Sequence, residues 1–256
     1  MSKIISIVNQ KGGVGKTTTA VNLAAAIGAL GYRVLLVDID PQGNSTSGMG
    51  INKREINLST YNLITGSTSA ESVRITTRFK NVDVLPANMS LAGAEIELVD
   101  IDRRELRLKN ALAPIKDEYE FIFLDCPPSL GLITLNALTA SDTFMVPIQC
   151  EYYALEGLSQ LMTTVRNIKR LYNDRIDIEG VLLTMYDGRL NLTQQVVAEV
   201  KRFFPKKVYS AVIPRNVRLS EAPSFGAPIM YFDGASKGAK AYAELAKEVI
   251  KNNGKG

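Results

Sequence analysis

The chain has no histidine and only two cysteines among its 256 residues. Without imidazole there is no Ser-His or Cys-His nucleophile pair, no His-ligated zinc and no histidine acid/base chemistry. Any catalysis must run on carboxylates, lysines, hydroxyls, backbone amides or a bound metal. Cys126 and Cys150 lie 24 positions apart and outside any C-x-x-C spacing, which excludes a disulfide scaffold or zinc ribbon and suits a reducing compartment. No apolar stretch approaches the roughly 18 residues of a membrane span. The apolar run after Met1-Ser2-Lys3 is too short for a signal peptide and enters a glycine loop directly. A cytoplasmic location is the expectation.

Charge is also scarce as a whole-chain signal. The net +4 names no partner, but its distribution is uneven. Between Gln160 and Ser220 there are 11 basic and 5 acidic residues, a local +6, so the remainder sums to −2.

Short apolar runs, rich in β-branched or aromatic residues, predict strands at Ile4–Val8, Val34–Val37, Val82–Leu85, Phe121–Leu124, Phe144–Val146, Val181–Leu183 and Val212–Ile213. Helical spacing appears from Ala20 to Ile27 and over Arg104–Ile115, Leu132–Ala140, Ala154–Leu171, Leu192–Arg202 and Lys237–Ile250. Continuous apolar strands alternating with helices predict an α/β fold: one doubly wound, mainly parallel sheet flanked by helices. The polar Gly43–Thr77 region gives no clear element. No repeat or linker divides the chain, so residues 1–256 are read as one domain, with about the last five residues disordered.

The strongest chemical signal is Lys11-Gly12-Gly13-Val14-Gly15-Lys16-Thr17-Thr18, between the first strand and the first helix. That is the context of a P-loop. Glycines let backbone N–H groups close on phosphate oxygens, and the helix N-terminus adds its positive end. Lys16 would reach the β- and γ-phosphates of ATP, and the Thr17 hydroxyl would ligate Mg²⁺. Asp38 and Asp40 stand at the end of the second strand, where ligands of open α/β sheets bind. If the strand persists they share one face, though acids there also serve as loop or helix caps. Phe121-Ile122-Phe123-Leu124-Asp125 is an apolar strand ending in one acid, the Walker B pattern, whose Asp125 would hold a magnesium-bound water. The Cys126–Gly131 stretch, with two prolines and a glycine, leaves that strand as a natural nucleotide-sensitive loop.

Where the common G-x-x-x-x-G-K-T would begin with glycine, this chain has Gln10, and a second lysine, Lys11, opens the loop. This resembles the deviant Walker A motif of the ParA/MinD class of P-loop ATPases. The resemblance runs from Lys3 to about Val249. It includes Asp38-Ile39-Asp40-Pro41-Gln42-Gly43-Asn44, Pro147 to Leu158, Glu179 to Met185 and Val212 to Ser224, and is nearest the chromosomal, Soj-type ParA branch. It implies that Lys11 reaches a partner's nucleotide across an ATP-dependent homodimer while Lys16 acts in cis. It also implies that Asp40 orients or activates the attacking water, that Asp38 supports Mg²⁺ or Lys16 indirectly, and that Pro214 and Asn216 contact adenine. Plain turn chemistry competes for Pro214-Arg215-Asn216.

On the basic stretch, the resemblance places Arg189 and Arg218 on a DNA-binding surface, with Lys201, Arg202, Lys206 and Lys207 as weaker contributors. Arg166, Lys169 and Arg170 adjoin on one predicted helix. Phosphate neutralisation of this kind gives non-specific, salt-sensitive binding to double-stranded DNA, and a merely solvated face is the competing reading. The implied role is nucleoid-associated chromosome partitioning with a ParB-type centromere-binding protein that stimulates slow ATP turnover. No helix-turn-helix extension precedes the loop, so site-specific operator binding is not expected.

Three other readings follow from the same class. A MinD-like ATPase would hold membranes through a C-terminal helix. Here the Tyr242, Leu245, Ala246, Val249 and Ile250 stripe reads as core packing rather than a membrane face. A metabolic ligase or an electron-transfer ATPase could use the same loop. Two cysteines per chain would match the iron–sulfur relative of this superfamily, but buried, inert thiols fit their positions better.

Overall fold

The computed structural model describes residues 2–151 and 154–255, with backbone alone over 154–157. Tyr152 and Tyr153, within a family-like stretch quoted above, lie outside the described residues.

The chain alternates strand and helix almost throughout. It runs β1 (Lys3–Ile7), α1 (Lys16–Ala29), β2 (Val34–Asp38), then the short helices α2 (Asn44–Gly48), α3 (Thr60–Thr65) and α4 (Ala70–Val73). Strands β3 (Ile75–Thr76) and β4 (Val82–Leu85) follow, then α5 (Leu91–Glu97), α6 (Arg107–Leu112), β5 (Phe121–Asp125) and α7 (Leu132–Ala140). The last third is β6 (Thr143–Gln149), α8 (Ala154–Leu171), β7 (Asp177–Thr184), α9 (Asn191–Phe203), α10 (Val217–Glu221), α11 (Ile229–Phe232) and α12 (Lys237–Asn252).

The strands form one seven-stranded sheet in the order β3-β4-β2-β5-β1-β6-β7. Every pairing is parallel except β3 with β4. Strands β2 and β5 are buried along their whole length, as continuous apolar runs covered on both faces require. Register sets Asp38 opposite Asp125 at the carboxyl ends of β2 and β5. It sets Ile7, the last residue of β1 before the glycine loop, opposite Asp125 as well. The chain therefore delivers its phosphate loop and two acids to one edge.

Three sequence expectations are corrected. Val212–Ile213 is not a strand. Ile213 N donates to Leu183 O at 3.0 Å or less (2.9 Å) and a single bridge joins Tyr186 to Pro214, but Pro214 has no N–H with which to continue a ladder. The helix predicted over Arg104–Ile115 begins as a 3₁₀ turn, Arg104–Leu106, and α6 stops at Leu112, two residues before Pro114. Asp40 does not share a strand face with Asp38, because β2 ends at Asp38. Asn253 and Lys255, beyond α12, contact the rest of the chain. The Asn253 amide donates to Glu179 Oε1 at 2.7 Å, and the Lys255 ammonium sits 4.2 Å from the Phe121 ring centroid.

The unassigned Gly43–Thr77 region holds α2, α3, α4 and β3. A capping box between Ser59 and Asn62 starts α3, and Gly48 lets α2 pack closely on Val21 of α1. The Tyr242, Leu245, Ala246, Val249 and Ile250 stripe of α12 is buried with α1 in one hydrophobic cluster. It is core.

Candidate functional site

Three turns meet where β1, β2 and β5 end. After β1, Gly13 and Gly15 take left-handed φ angles of 75° and 89°, which glycine adopts without steric cost, and Lys16 becomes the first residue of α1. Thr184 at the end of β7 holds the loop from below, its hydroxyl donating to Val14 O at 2.9 Å. Lys16 is buried, and its Nζ donates to Lys11 O at 3.0 Å. Burial lowers its pKa, while the charges of Asp125, Cys126 and Asp40 hold it up. The amine therefore lies among these acids. Gly12 and Gly13 stay exposed, with open space where side chains would be.

Asp38 is wholly buried and committed to the scaffold. Its Oδ2 accepts from Thr46 N at 2.8 Å and Thr46 Oγ1 at 2.7 Å, and its Oδ1 from Asp40 N at 3.1 Å. It fixes the first turn of α2, so the capping alternative is realised in this structure. Asp125 is also wholly buried. Its Oδ2 accepts from Ser45 Oγ at 2.6 Å, but its Oδ1 has no hydrogen-bond partner among the described residues. Burial, with the neighbouring Asp38 charge, pushes Asp125 up to about 7, and the Ser45 and Thr17 hydroxyls partly oppose this. Asp38 is pushed up to about 6, chiefly by burial, against its bonds from Thr46. Asp40 Oδ1 accepts from Gln42 N at 2.9 Å. Its carboxylate is thereby aimed by its own turn.

An orphaned, buried carboxylate oxygen beside the Thr17 hydroxyl suits a divalent cation. Burial pushes both acids toward neutrality, and a bound cation would favour their charged forms. No group of three or more His, Cys, Asp or Glu that could hold a metal occurs among the described residues. Such a site fits Mg²⁺, which keeps waters and takes phosphate oxygens as ligands rather than demanding a protein cage. The cysteines are free and buried, Cys126 with its thiol pKa raised by burial.

Beside the loop opens a cavity of about 430 Å³ lined by Gly15, Thr18, Met185, Pro214, Asn216 and Pro223, among others. Asn216 caps α10, its Oδ1 accepting from Arg218 N at 2.9 Å. The cap bond uses its carbonyl oxygen and leaves the amide N–H groups unengaged by it. Of the residues expected at adenine, Pro214 and Asn216 both line this space.

The basic residues divide into two groups. Arg189 pairs with Asp187 at 2.6 Å, and Arg218 pairs with Glu221 at 2.9 Å and Asp233 at 3.5 Å. Backbone contact between Tyr186 and Ile213 brings these loops together, and Asp187, pushed down to about 2 by Arg189, also feels Arg215. Lys201 and Arg202 are exposed in the last turn of α9, and Lys206 is exposed beyond it. Lys207 reaches Asp177 at 3.3 Å, at the opposite end of β7. The 13 residues of α9 separate the groups by about 20 Å. Arg166, Lys169 and Arg170 are exposed on α8, where Lys169 acts on the same Asp177.

Sequence reasoning missed Ser45, Thr46 and Thr184. Small hydroxyl residues beside a motif were visible, but their partners stand 80, 8 and 170 positions away.

A glycine loop opening a helix, a buried lysine and acids at adjacent strand ends define a P-loop nucleotide site on a doubly wound sheet. The AAA domain family matches residues 2–178. The sporulation initiation inhibitor protein Soj of Bacillus subtilis is 58% identical over 252 residues, covering 98% of this chain and 100% of Soj. Cobyrinic acid a,c-diamide synthase from Mycobacterium smegmatis, solved with an ATP analogue and magnesium, is 35% identical with a TM-score of 0.87, covering 99% of this chain and 96% of that one. The septum site-determining protein MinD of Pyrococcus horikoshii, complexed with Mg-ADP, is 28% identical with a TM-score of 0.80, covering 99% and 98%. The chain belongs to the Soj/ParA family of P-loop ATPases.

Proposed function

We propose that this chain is a Mg²⁺-dependent, DNA-segregating ATPase that forms a homodimer around ATP. In that state it binds double-stranded DNA without sequence preference. Hydrolysis dissolves the dimer and frees the DNA, and a ParB-type protein accelerates the step, so that the cycle drives chromosome partitioning on the nucleoid in the cytoplasm. The observation that carries this reading is the convergence of Lys16, Asp40 and Asp125 beside the glycine loop, with the nucleotide-sized cavity at Pro214 and Asn216 next to it.

ATP would lay its phosphates on the backbone N–H groups of residues 12–18. Lys16 would exchange the Lys11 carbonyl for phosphate oxygens. The Thr17 hydroxyl, and Asp125 through water, would hold Mg²⁺, with Asp38 keeping α2 and hence Ser45 in place. Bound there, Mg²⁺ would neutralise charge on the β- and γ-phosphates. Asp40, anchored at Oδ1, would orient the attacking water. Lys11 would complete the partner's phosphate site, coupling dimerisation to ATP as a cation supplied in trans does. A dimer doubles the number of phosphate contacts, so DNA affinity rises through valence.

The MinD-like membrane reading is weakened by α12, whose apolar stripe is occupied by the core. One experiment separates the two: DNA retention measured with ATP, ADP and no nucleotide across a salt series, with phospholipid vesicles in parallel. ATP-specific, salt-sensitive DNA retention is expected. Vesicle binding without DNA retention would overturn the DNA reading.

A further inference from the structure

Asp38 and Asp125 stand opposite one another in the strand register and are equally buried, yet their oxygens are used differently. Asp38 engages both, Oδ1 with Asp40 N and Oδ2 with Thr46 N and Oγ1. Asp125 accepts at Oδ2 from Ser45 Oγ at 2.6 Å, and among the described residues its Oδ1 accepts nothing. The two donors, Ser45 and Thr46, are consecutive on α2, and neither is exposed at all. Thr46 Oγ1 also accepts from Ala87 N at 2.9 Å, so this hydroxyl ties the chain after β4 to β2. Ser45 reaches the other way, to the end of β5.

The Ser45 hydroxyl has no local duty. Gly43, not Ser45, is the N-cap of α2, and the one hydrogen bond of Ser45 Oγ among the described residues goes to Asp125. A serine carries a single O–H proton, so it can hold one carboxylate oxygen and must leave the other. Rotation of a carboxylate about its Cβ–Cγ bond is otherwise loose. A bond of 2.6 Å falls in the short, charge-assisted range and resists that rotation. The unpartnered Oδ1 is costly to bury unless a donor arrives. The Thr17 hydroxyl already acts on the same carboxylate, which puts the acid next to the loop where that donor would come.

We infer that Ser45 is a positioning residue for magnesium. It pins Asp125 Oδ2 so that Oδ1 stays available to accept from a water of the bound cation. Mg²⁺ keeps most of its waters, and groups that orient the acceptors of those waters set its affinity. The inference rests on the proposed Mg²⁺-dependent nucleotide site and adds to it a residue that acts on the metal through Asp125 alone.

The test measures binding of the fluorescent analogue mant-ATP to the full-length chain, with Mg²⁺ and with EDTA. Ser45→Ala should weaken binding about tenfold with Mg²⁺ and leave binding in EDTA unchanged. Ser45→Cys, which keeps a weak donor, should fall between. In an Asp125→Asn background, Ser45→Ala should cost less than about twofold more, because its only route of action is gone. Turnover of Ser45→Ala should need more Mg²⁺ for half its maximal rate and recover when Mg²⁺ is raised, since Asp40 is untouched. Equal weakening with Mg²⁺ and EDTA would reduce Ser45 to a support of α2 and overturn the proposal. So would a full Ser45→Ala loss in the Asp125→Asn background, or a turnover deficit that saturating Mg²⁺ does not restore. A wild-type chain that binds mant-ATP equally with and without Mg²⁺ would instead sink the magnesium site, and the role of Ser45 with it.

Discussion

Lys11 Nζ lies 2.7 Å from Glu151 Oε2, while the backbone carbonyl of the same Lys11 accepts from Lys16 Nζ at 3.0 Å. The two lysines of the loop are therefore linked. One is occupied at its ammonium by an acid 140 positions away, and the other at its ammonium by its neighbour's backbone. In the proposed ATP cycle both partners would be given up to phosphate oxygens. Because Lys11 and Glu151 are 36% and 49% exposed at their side chains, solvent keeps their pair weak and readily exchanged.

Glu151→Gln removes this competitor for Lys11. It should tighten ATP-dependent dimerisation by about two- to fivefold, the range of an exposed ion pair. Sedimentation velocity across a protein dilution series with ATP checks this. Lys11→Ala should abolish the dimer while changing monomer affinity for ATP by less than about threefold, since Lys16 is untouched.

Asp125 carries a pH signature. Its folded pKa is raised to about 7 from the model-compound value of 3.8. Between roughly pH 4 and pH 7 the folded state therefore binds protons that the unfolded state has released, and stability falls as pH rises through that window. Asp38, raised to about 6, acts in the same direction. Asp125→Asn, which cannot ionise, should stabilise the metal-free protein more at pH 8 than at pH 5, the gain differing by about 1–3 kcal/mol. Thermal unfolding with a chelator at the two pH values reads the difference. The same variant should turn over ATP more slowly and need more Mg²⁺ to reach half its maximal rate.

Asp40→Ala should remove the group that aims water without disturbing Asp38, whose bonds from Thr46 remain. Turnover should fall about 100-fold or more, with ATP-bound dimer accumulating on DNA. Single-turnover phosphate release and gel filtration of the nucleotide-loaded protein together test this. Rapid hydrolysis would remove Asp40 from its assigned role.

The division of the basic residues gives a paired prediction. Arg189→Glu with Arg218→Glu should cut DNA retention by about tenfold or more and flatten its salt dependence, while sparing ATP-dependent dimerisation. Lys201→Glu with Lys206→Glu, at the far end of α9, should have a smaller effect. Filter binding over a salt series separates the two. Equal losses would make one continuous surface of what the fold divides.

Much of this protein is set by local sequence. Apolar runs of five or so residues placed most strands, since a parallel sheet buried on both faces tolerates little else. Lys11 to Thr18 announced the phosphate loop, because phosphate contact requires glycine at left-handed φ and a helix starting at Lys16. Asp125 was legible as an acid ending a greasy strand. These are features whose physical cause lies within a few residues of the feature itself.

Tertiary structure decided what depends on partners remote in sequence. Asp38 and Asp40 look alike in the chain, yet strand register against β5 and the return of Thr46 make one a buried anchor and leave the other to its turn. The basic stretch from Arg166 to Arg218 reads as one patch, but α9 holds its ends apart and Asp187, Glu221 and Asp177 draw off part of its charge. The stripe on α12 fits a membrane or a core equally by periodicity, and packing against α1 chose the core. Nothing local marks Ser45 as the partner of Asp125, because the 80 positions between them close only once the sheet has formed. Sequence fixes what each residue can do chemically, and the fold selects which neighbour it does it with.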